Sequence, residues 1–86
     1  MTNATKLHAF RVYRRTADII DHLTHDDPRD ENAIIADFYA SQTYALLADE
    51  ITKTWWYSTP ALLDAYRTER ATGSVANSPY LSNVAG

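Results

Sequence analysis

Helix-breaking residues are few in this chain of 86 residues, and their positions divide it into long uninterrupted segments. The sequence contains three prolines and two glycines, and Pro28, Pro60 and Gly73 are the ones that separate apolar segments. No proline or glycine lies between Asn32 and Tyr57. Because both residue types destabilise helix interiors, this spacing predicts an all-α fold with three helices.

The first predicted helix runs from about Thr5 to Leu23 and is amphipathic. The turn around Pro28 follows it, since proline cannot continue a helix. At 100° per residue, one half of the helix carries Ala9, Phe10, Val12, Tyr13, Thr16, Ala17, Ile19, Ile20 and Leu23. The opposite half carries charged residues together with His8, His22 and His25, which we expect to be exposed.

The second predicted helix runs from about Glu31 to Trp56 and is apolar on nearly all sides. Its main stripe comprises Ala33, Ala36, Ala40, Tyr44, Leu47, Ile51 and Trp55, and a separate side carries Ile35, Tyr39 and Leu46. A helix of this kind is buried on more than one side. Helices 1 and 3 can cover two of its sides at most, and helix 3 is short. We therefore expect another chain to contact part of the second helix.

The third predicted helix follows Ser58 or Thr59 as its N-cap, has Pro60 in its first turn and ends near Ala71 before Gly73. The predicted fold is a small helical bundle built on an antiparallel hairpin of helices 1 and 2, with this short third helix and an extended C-terminal tail. Residues 1–73 form one domain. Residues 74–86 form an arm that is flexible or is anchored through Tyr80 and Leu81 on this chain or a partner.

Composition excludes several classes of protein. Leu, Ile, Val and Phe total 17 residues, about a fifth of the chain, which leaves little aliphatic material for a core. There is no cysteine, so disulfides, thiolate metal sites and a cysteine nucleophile are excluded. No apolar run approaches the ~18 residues of a membrane span, and no signal peptide is recognisable. We therefore expect a cytoplasmic protein with no membrane partner.

Charge is distributed unevenly along the sequence. Residues 1–17 contain four basic side chains and no acid, whereas residues 18–50 contain nine acids and one arginine. The basic residues of the first helix are Lys6, Arg11, Arg14 and Arg15. We predict that they contact phosphate groups or an acidic partner. Pairs spaced by four residues on the same helix are expected to offset part of the charge: Arg14 with Asp18, Asp18 with His22, and Asp21 with His25.

No motif for catalysis or for a cofactor stands out. Asp18, His22 and His25 have the spacing of metal ligands on one helix, but no third ligand is supplied by another element. No serine lies in a nucleophile-elbow motif, and adjacent carboxylates on a helix do not face each other. We predict no enzyme activity, no cofactor and no metal site.

The triplet Trp55-Trp56-Tyr57 is the most unusual local feature. Consecutive helical residues point 100° apart, so the three rings cannot all enter one core. Large aromatic side chains dominate interface hot spots. The predicted interaction residues are Trp55, Trp56, Tyr57, Ile35, Tyr39, Leu46, Tyr80 and Leu81.

These observations predict a non-enzymatic helical interaction protein that self-associates or docks on a larger protein. Its role would be accessory, structural or inhibitory, as in small proteins of phage or bacterial origin. One alternative is a protein that binds nucleic acid or phosphate through the basic face of helix 1. A third is a small metal-dependent helical enzyme assembled across an oligomer.

Overall fold

The computed structural model describes residues 3–81, with side chains from Lys6 onward. Its four α-helices are α1 (Asn3–Asp26), α2 (Glu31–Tyr39), α3 (Gln42–Ala48) and α4 (Thr59–Thr72). Three single turns of 3-10 helix span Glu50–Thr52, Thr54–Trp56 and Val75–Asn77, and no strand occurs in the described part of the chain. The predicted all-α class is confirmed.

Helix α1 has the predicted amphipathic character but buries a narrower face than the pattern indicated. Its buried residues are Val12, Thr16, Ile19 and Leu23. Phe10 is 54% exposed and Tyr13 is 67% exposed, although both lie on the predicted apolar half. A strip of four buried residues meets the small core of this chain, and Ile20 is half-buried against it.

The prediction of one continuous helix from Glu31 to Trp56 is wrong. The segment is broken at Ser41, whose hydroxyl donates to the Phe38 carbonyl (2.6 Å) and accepts from the Tyr44 N–H (3.0 Å). A second break follows Ala48, where an Asp49 carboxylate oxygen accepts from the Ile51 N–H (3.0 Å). Short polar side chains can replace helical hydrogen bonds in this way. The course of the backbone in this segment is therefore not determined by helix propensity alone.

These breaks also remove the predicted apolar stripe. Ala33, Ala36 and Ala40 are exposed, and Ile51 is 89% exposed. Only Tyr44, Leu47 and Trp55 of that stripe contribute to the core or pack against it. The predicted stripe therefore does not form one buried face, and more than half of its residues are exposed.

Helix α4 agrees with the sequence prediction at both ends. Ser58 is its N-cap and accepts from the Ala61 N–H (3.3 Å), and Pro60 lies in the first turn. Gly73 ends the helix with φ of 88°, a left-handed conformation that favours glycine, and its N–H donates to the Glu69 carbonyl (2.8 Å).

The core joins all four helices. Its buried apolar residues are Val12, Ile19, Leu23, Ile34, Phe38, Leu47, Leu62, Leu63, Ala65, Tyr66, Val75 and Leu81. Glu69 of α4 joins this core region to the start of α3, because its carboxylate accepts from the N–H groups of Gln42 (2.8 Å) and Thr43 (3.0 Å) and from the Thr43 hydroxyl (2.8 Å).

The described part of the C-terminal arm lies on this chain. Val75 is 1% exposed and Leu81 is fully buried, and the Gln42 side-chain oxygen accepts from the Val75 N–H (2.8 Å). The packed unit therefore reaches at least Leu81, beyond the predicted domain end at residue 73. The rest of the predicted arm, residues 82–86, lies outside the described residues. No helix within 3–81 is long and apolar enough to cross a membrane.

Candidate functional site: a cationic aromatic cleft

A cleft of about 400 Å³ lies between α1 and the 3-10 turn Thr54–Trp56. We call it the cationic cleft. It is lined by Phe10, Arg11, Arg14, Arg15, Asp18, Trp55 and Trp56. Three of the four predicted basic contact residues and two residues of the predicted aromatic triplet thus form a single site. The fourth basic residue, Lys6, is exposed but does not line the cleft.

The turns after α3 place the tryptophans beside α1. The chain leaves α3 at Asp49 and reverses at Lys53, which has a left-handed conformation with φ of 56°. This conformation is unfavourable for a residue with a Cβ. Thr52 and Thr54 support the reversal, because the Thr52 hydroxyl lies 2.9 Å from that of the fully buried Thr54. A continuous helix would not place Trp55 here.

Cations lie over each aromatic ring of the cleft. The guanidinium carbon of Arg11 is 4.7 Å from the centroid of the Trp55 ring, and that of Arg14 is 5.7 Å from the Phe10 ring. The ammonium nitrogen of Lys53 is 5.2 Å from the Trp56 ring. Such contacts orient long flexible side chains. The aromatic rings of the cleft therefore hold the neighbouring cationic groups in position.

The arginines of the cleft make no ion pair within the described residues. The described part of the chain contains four ion pairs, and each of them involves Arg29, Arg67 or Arg70. The predicted pairs within α1 (Arg14 with Asp18, Asp18 with His22, and Asp21 with His25) are not formed at 4.0 Å or less, so that prediction is wrong. Asp18 is the one acidic residue that lines the cleft. The site is therefore strongly cationic.

The remaining arginines are held by a network away from the cleft. Arg29 bridges Asp27 and Asp37 at 2.9 Å each, and Arg70 also reaches Asp37 (3.5 Å). The backbone N–H of Arg29 donates to Asp27 and, despite some desolvation, holds the pKa of that carboxyl below its ordinary value. At this end of the molecule the arginines are paired with aspartates, whereas the arginines of the cationic cleft are not.

Two buried donors belong to residues that line the cleft. Arg15 Nε and Trp55 Nε1 have no hydrogen-bond partner in the described structure, although Arg15 Nη1 donates to the Thr59 hydroxyl (2.8 Å). Buried polar groups in native proteins are nearly always paired. Both donors are therefore exceptions to this rule among the described residues.

His8 supports the cleft from behind. Its Nε2 lies 3.0 Å from the Ala48 carbonyl at the end of α3, and its ring meets Trp55 edge to face at 5.9 Å. The prediction that all three histidines are exposed is wrong for His8, which is half-buried, and correct for His22 and His25. A contact between positions 8 and 48 depends on the break after α3, so the helical wheel gave no sign of it.

The other predicted site residues are dispersed over the molecule. Tyr57 and Leu46 are half-buried and pack against the core, and Leu81 is inside it. Ile35 is half-buried, and Tyr39 and Tyr80 are 49% and 47% exposed. Asp18, His22 and His25 are exposed, and within the described residues no three His, Asp or Glu side chains converge as metal ligands.

Two residues at the site were not predicted from the sequence: Phe10, which lines the cleft, and Lys53, whose ammonium group lies over the Trp56 ring. Phe10 was placed in the core because it lies on the apolar half of α1. Its spacing of four from Arg14 is a signal for a side-chain pair on the helix surface. Lys53 carried no signal, since its ring contact depends on the reversal of the chain at that residue.

Comparison with protein-family models finds no match, and comparisons with curated proteins and with solved structures find none either.

Proposed function

We propose that this chain is a non-enzymatic protein-interaction module whose cationic cleft binds an acidic segment of another protein. The observation that carries the proposal is the set of three arginines without acidic partners, gathered beside two tryptophans. A carboxylate-rich segment supplies the negative charge and the hydrogen-bond acceptors that arginine guanidinium groups bind.

The chemistry of the cleft resembles an interface hot spot. Trp and Arg are the residues most enriched at such spots, and Trp56 is 66% exposed. The Arg11 guanidinium is already positioned over Trp55, so less conformational entropy is lost when a ligand binds. The chain as a whole has a net charge of −3. Positive charge confined to one cleft favours a short acidic segment over a long polyanion.

Tryptophan fluorescence can test this proposal directly. Both tryptophans of the chain line the cleft, so a ligand that enters it changes their emission. We expect saturable titration by a peptide in which Asp and Glu alternate with Leu and Tyr, but none by a peptide with Lys in place of the acids. Affinity should weaken as salt is raised.

Substitutions in the cleft separate specific binding from general charge effects. Arg11→Ala and Arg15→Ala should each weaken peptide binding roughly tenfold, the effect of losing one charge-assisted contact. The matched control is Arg67→Ala, which removes the same charge at an exposed residue paired with Asp26. Equal losses in all three variants, or no saturable binding by the wild type, would contradict the proposal.

Single-stranded nucleic acid is the second candidate ligand, favoured by the combination of arginines with Trp56. Bases stack on exposed aromatic rings, and cationic side chains contact the phosphates. A short oligonucleotide of mixed sequence should then compete with the peptide, and its affinity should fall linearly on a log–log plot against salt. Tighter binding of the oligonucleotide than of the peptide would establish this function instead.

A further inference from the structure

A second exposed surface lies on the other flank of α1 and has a different chemistry. It is a groove of about 350 Å³ between α1 and α2. Its α1 side is lined by Tyr13, Thr16, Ala17, Ile20, Asp21 and Thr24, and its α2 side by Glu31, Ile35 and Tyr39. None of these residues lines the cationic cleft. The groove therefore calls for a separate explanation.

Four of the six α1 residues that line this groove follow the spacing of a coiled-coil seam. Tyr13, Ala17, Ile20 and Thr24 are separated by four, three and four residues, the interval by which one helix packs along another. We call them the outer stripe. The inner stripe of α1 has the same spacing and packs in the core, as Val12, Thr16, Ile19 and Leu23. Helix α1 is thus built to pack on two sides.

The charges that flank the outer stripe indicate its occupant. The N-terminal half of α1 is basic and its C-terminal half is acidic, the reverse of the order that the helix dipole favours. Arg14 and Asp21 lie at equivalent positions one heptad apart beside the stripe. When two α1 helices are antiparallel, Arg14 of each copy faces Asp21 of the other. In a parallel pair, Arg14 and Asp21 of the two copies do not face each other.

We infer that two copies of this chain associate through antiparallel packing of their α1 helices along the outer stripe. Ala17 of each copy packs against Ile20 of the other, and Tyr13 packs against Thr24. Arg14 and Asp21 form two symmetric ion pairs. The contact is closed by a two-fold axis, so association stops at a dimer. It leaves Arg11, Arg15 and both tryptophans outside the seam and shares only Arg14 with the lining of the cationic cleft.

Sedimentation equilibrium of the full chain over a wide concentration range tests this inference. The wild type should fit a monomer–dimer equilibrium, and a monomer at every concentration, or open-ended larger assemblies, would overturn it. Ala17→Glu places a carboxylate in the middle of the seam and should weaken dimerisation by at least roughly tenfold. The control is Ala33→Glu, at an exposed alanine of α2 that does not line the groove. Far-UV circular dichroism checks that both variants remain helical.

Charge reversal tests the orientation of the two helices. Arg14→Glu or Asp21→Arg alone should weaken the dimer roughly tenfold, because each creates two like-charge contacts. The double variant should restore it, and an equimolar mixture of the two single variants should form a heterodimer. If neither single substitution weakens the dimer, the antiparallel register is refuted. Trp56→Ala should leave dimerisation unchanged, so failure of the cleft proposal and of this one are distinguishable.

Discussion

At the scale of single residues, Tyr66 couples the core to pH. It is 4% exposed and packs edge to face on Phe38 at 5.1 Å. Burial, the largest cause, raises the pKa of its phenol above the ordinary value of 10.0. A raised pKa in the folded state means that this contribution to stability is complete below the unfolded pKa and is lost as pH rises through the folded pKa.

We therefore expect the free energy of unfolding of the wild type to fall above pH ~10. The fall should be smaller in Tyr66→Phe, which lacks the phenol. Urea unfolding of both proteins, compared between neutral and alkaline pH, measures the difference. Tyr80→Phe is the control, since Tyr80 is 47% exposed. If Tyr66→Phe and the wild type lose the same stability, the buried phenol is not the source of the alkaline loss.

Glu69 shows why some contacts escape prediction from sequence. Its position in α4 followed from the caps Ser58 and Gly73, which act within a few residues of the sequence. Its bonds to Gln42 and Thr43 join positions 26 or 27 residues apart. An acidic residue near the end of a helix is unfavourable for that helix. Here the Glu69 carboxylate binds the N–H groups at the start of α3, where negative charge is favourable. This contact can be recognised only once the positions of both helices are known.

At the scale of secondary-structure elements, Ser41 caps the junction between α2 and α3. Its hydroxyl both donates to the Phe38 carbonyl and accepts from the Tyr44 N–H. Loss of an N-cap costs about 0.5–2 kcal/mol, and Ser41 is only 8% exposed. We expect Ser41→Ala to lie near the top of that range when the free energy of unfolding is measured by urea titration.

Ser58→Ala is the matched control for Ser41. Ser58 is exposed and its hydroxyl accepts a single longer bond, from Ala61 at 3.3 Å, so its replacement should cost less than about 1 kcal/mol. A loss at Ser58 equal to or greater than that at Ser41 would show that the double role of Ser41 is not what stabilises the junction.

The same junction marks the limit of helical periodicity as a guide. Proline and glycine located both ends of α4 correctly, because their effects on the backbone are local. Ser41 and Asp49 gave no comparable signal, since either residue is tolerated on the surface of a helix. The sequence pattern singled out the triplet Trp55-Trp56-Tyr57 and the basic face of α1, but it indicated no contact between them. The cleft between them required the breaks, and these depend on tertiary packing.

At the scale of the whole molecule, two surfaces differ in how their charges are paired. The ion pairs of Arg29, Arg67 and Arg70 cover the end of the molecule that carries Asp26, Asp27 and Asp37. The arginines of the cationic cleft have no such partners among the described residues. The core is small, as the low aliphatic content of the sequence indicates. Five large apolar side chains remain exposed outside it: Phe10, Tyr13, Tyr39, Ile51 and Trp56.

The small core also makes the C-terminal segment essential to the fold. Val75 and Leu81 are 1% and 0% exposed, and complete burial of each is worth about 1.5–3 kcal/mol. Domains of this size have about 5–15 kcal/mol of net stability. A chain ending at Gly73 should therefore lose most of its stability, seen as a large drop in the urea midpoint by circular dichroism. A chain ending at Leu81 keeps both residues and should unfold near the wild-type midpoint. Similar midpoints for the two truncations would mean that the segment after α4 adds little to the core, despite its burial.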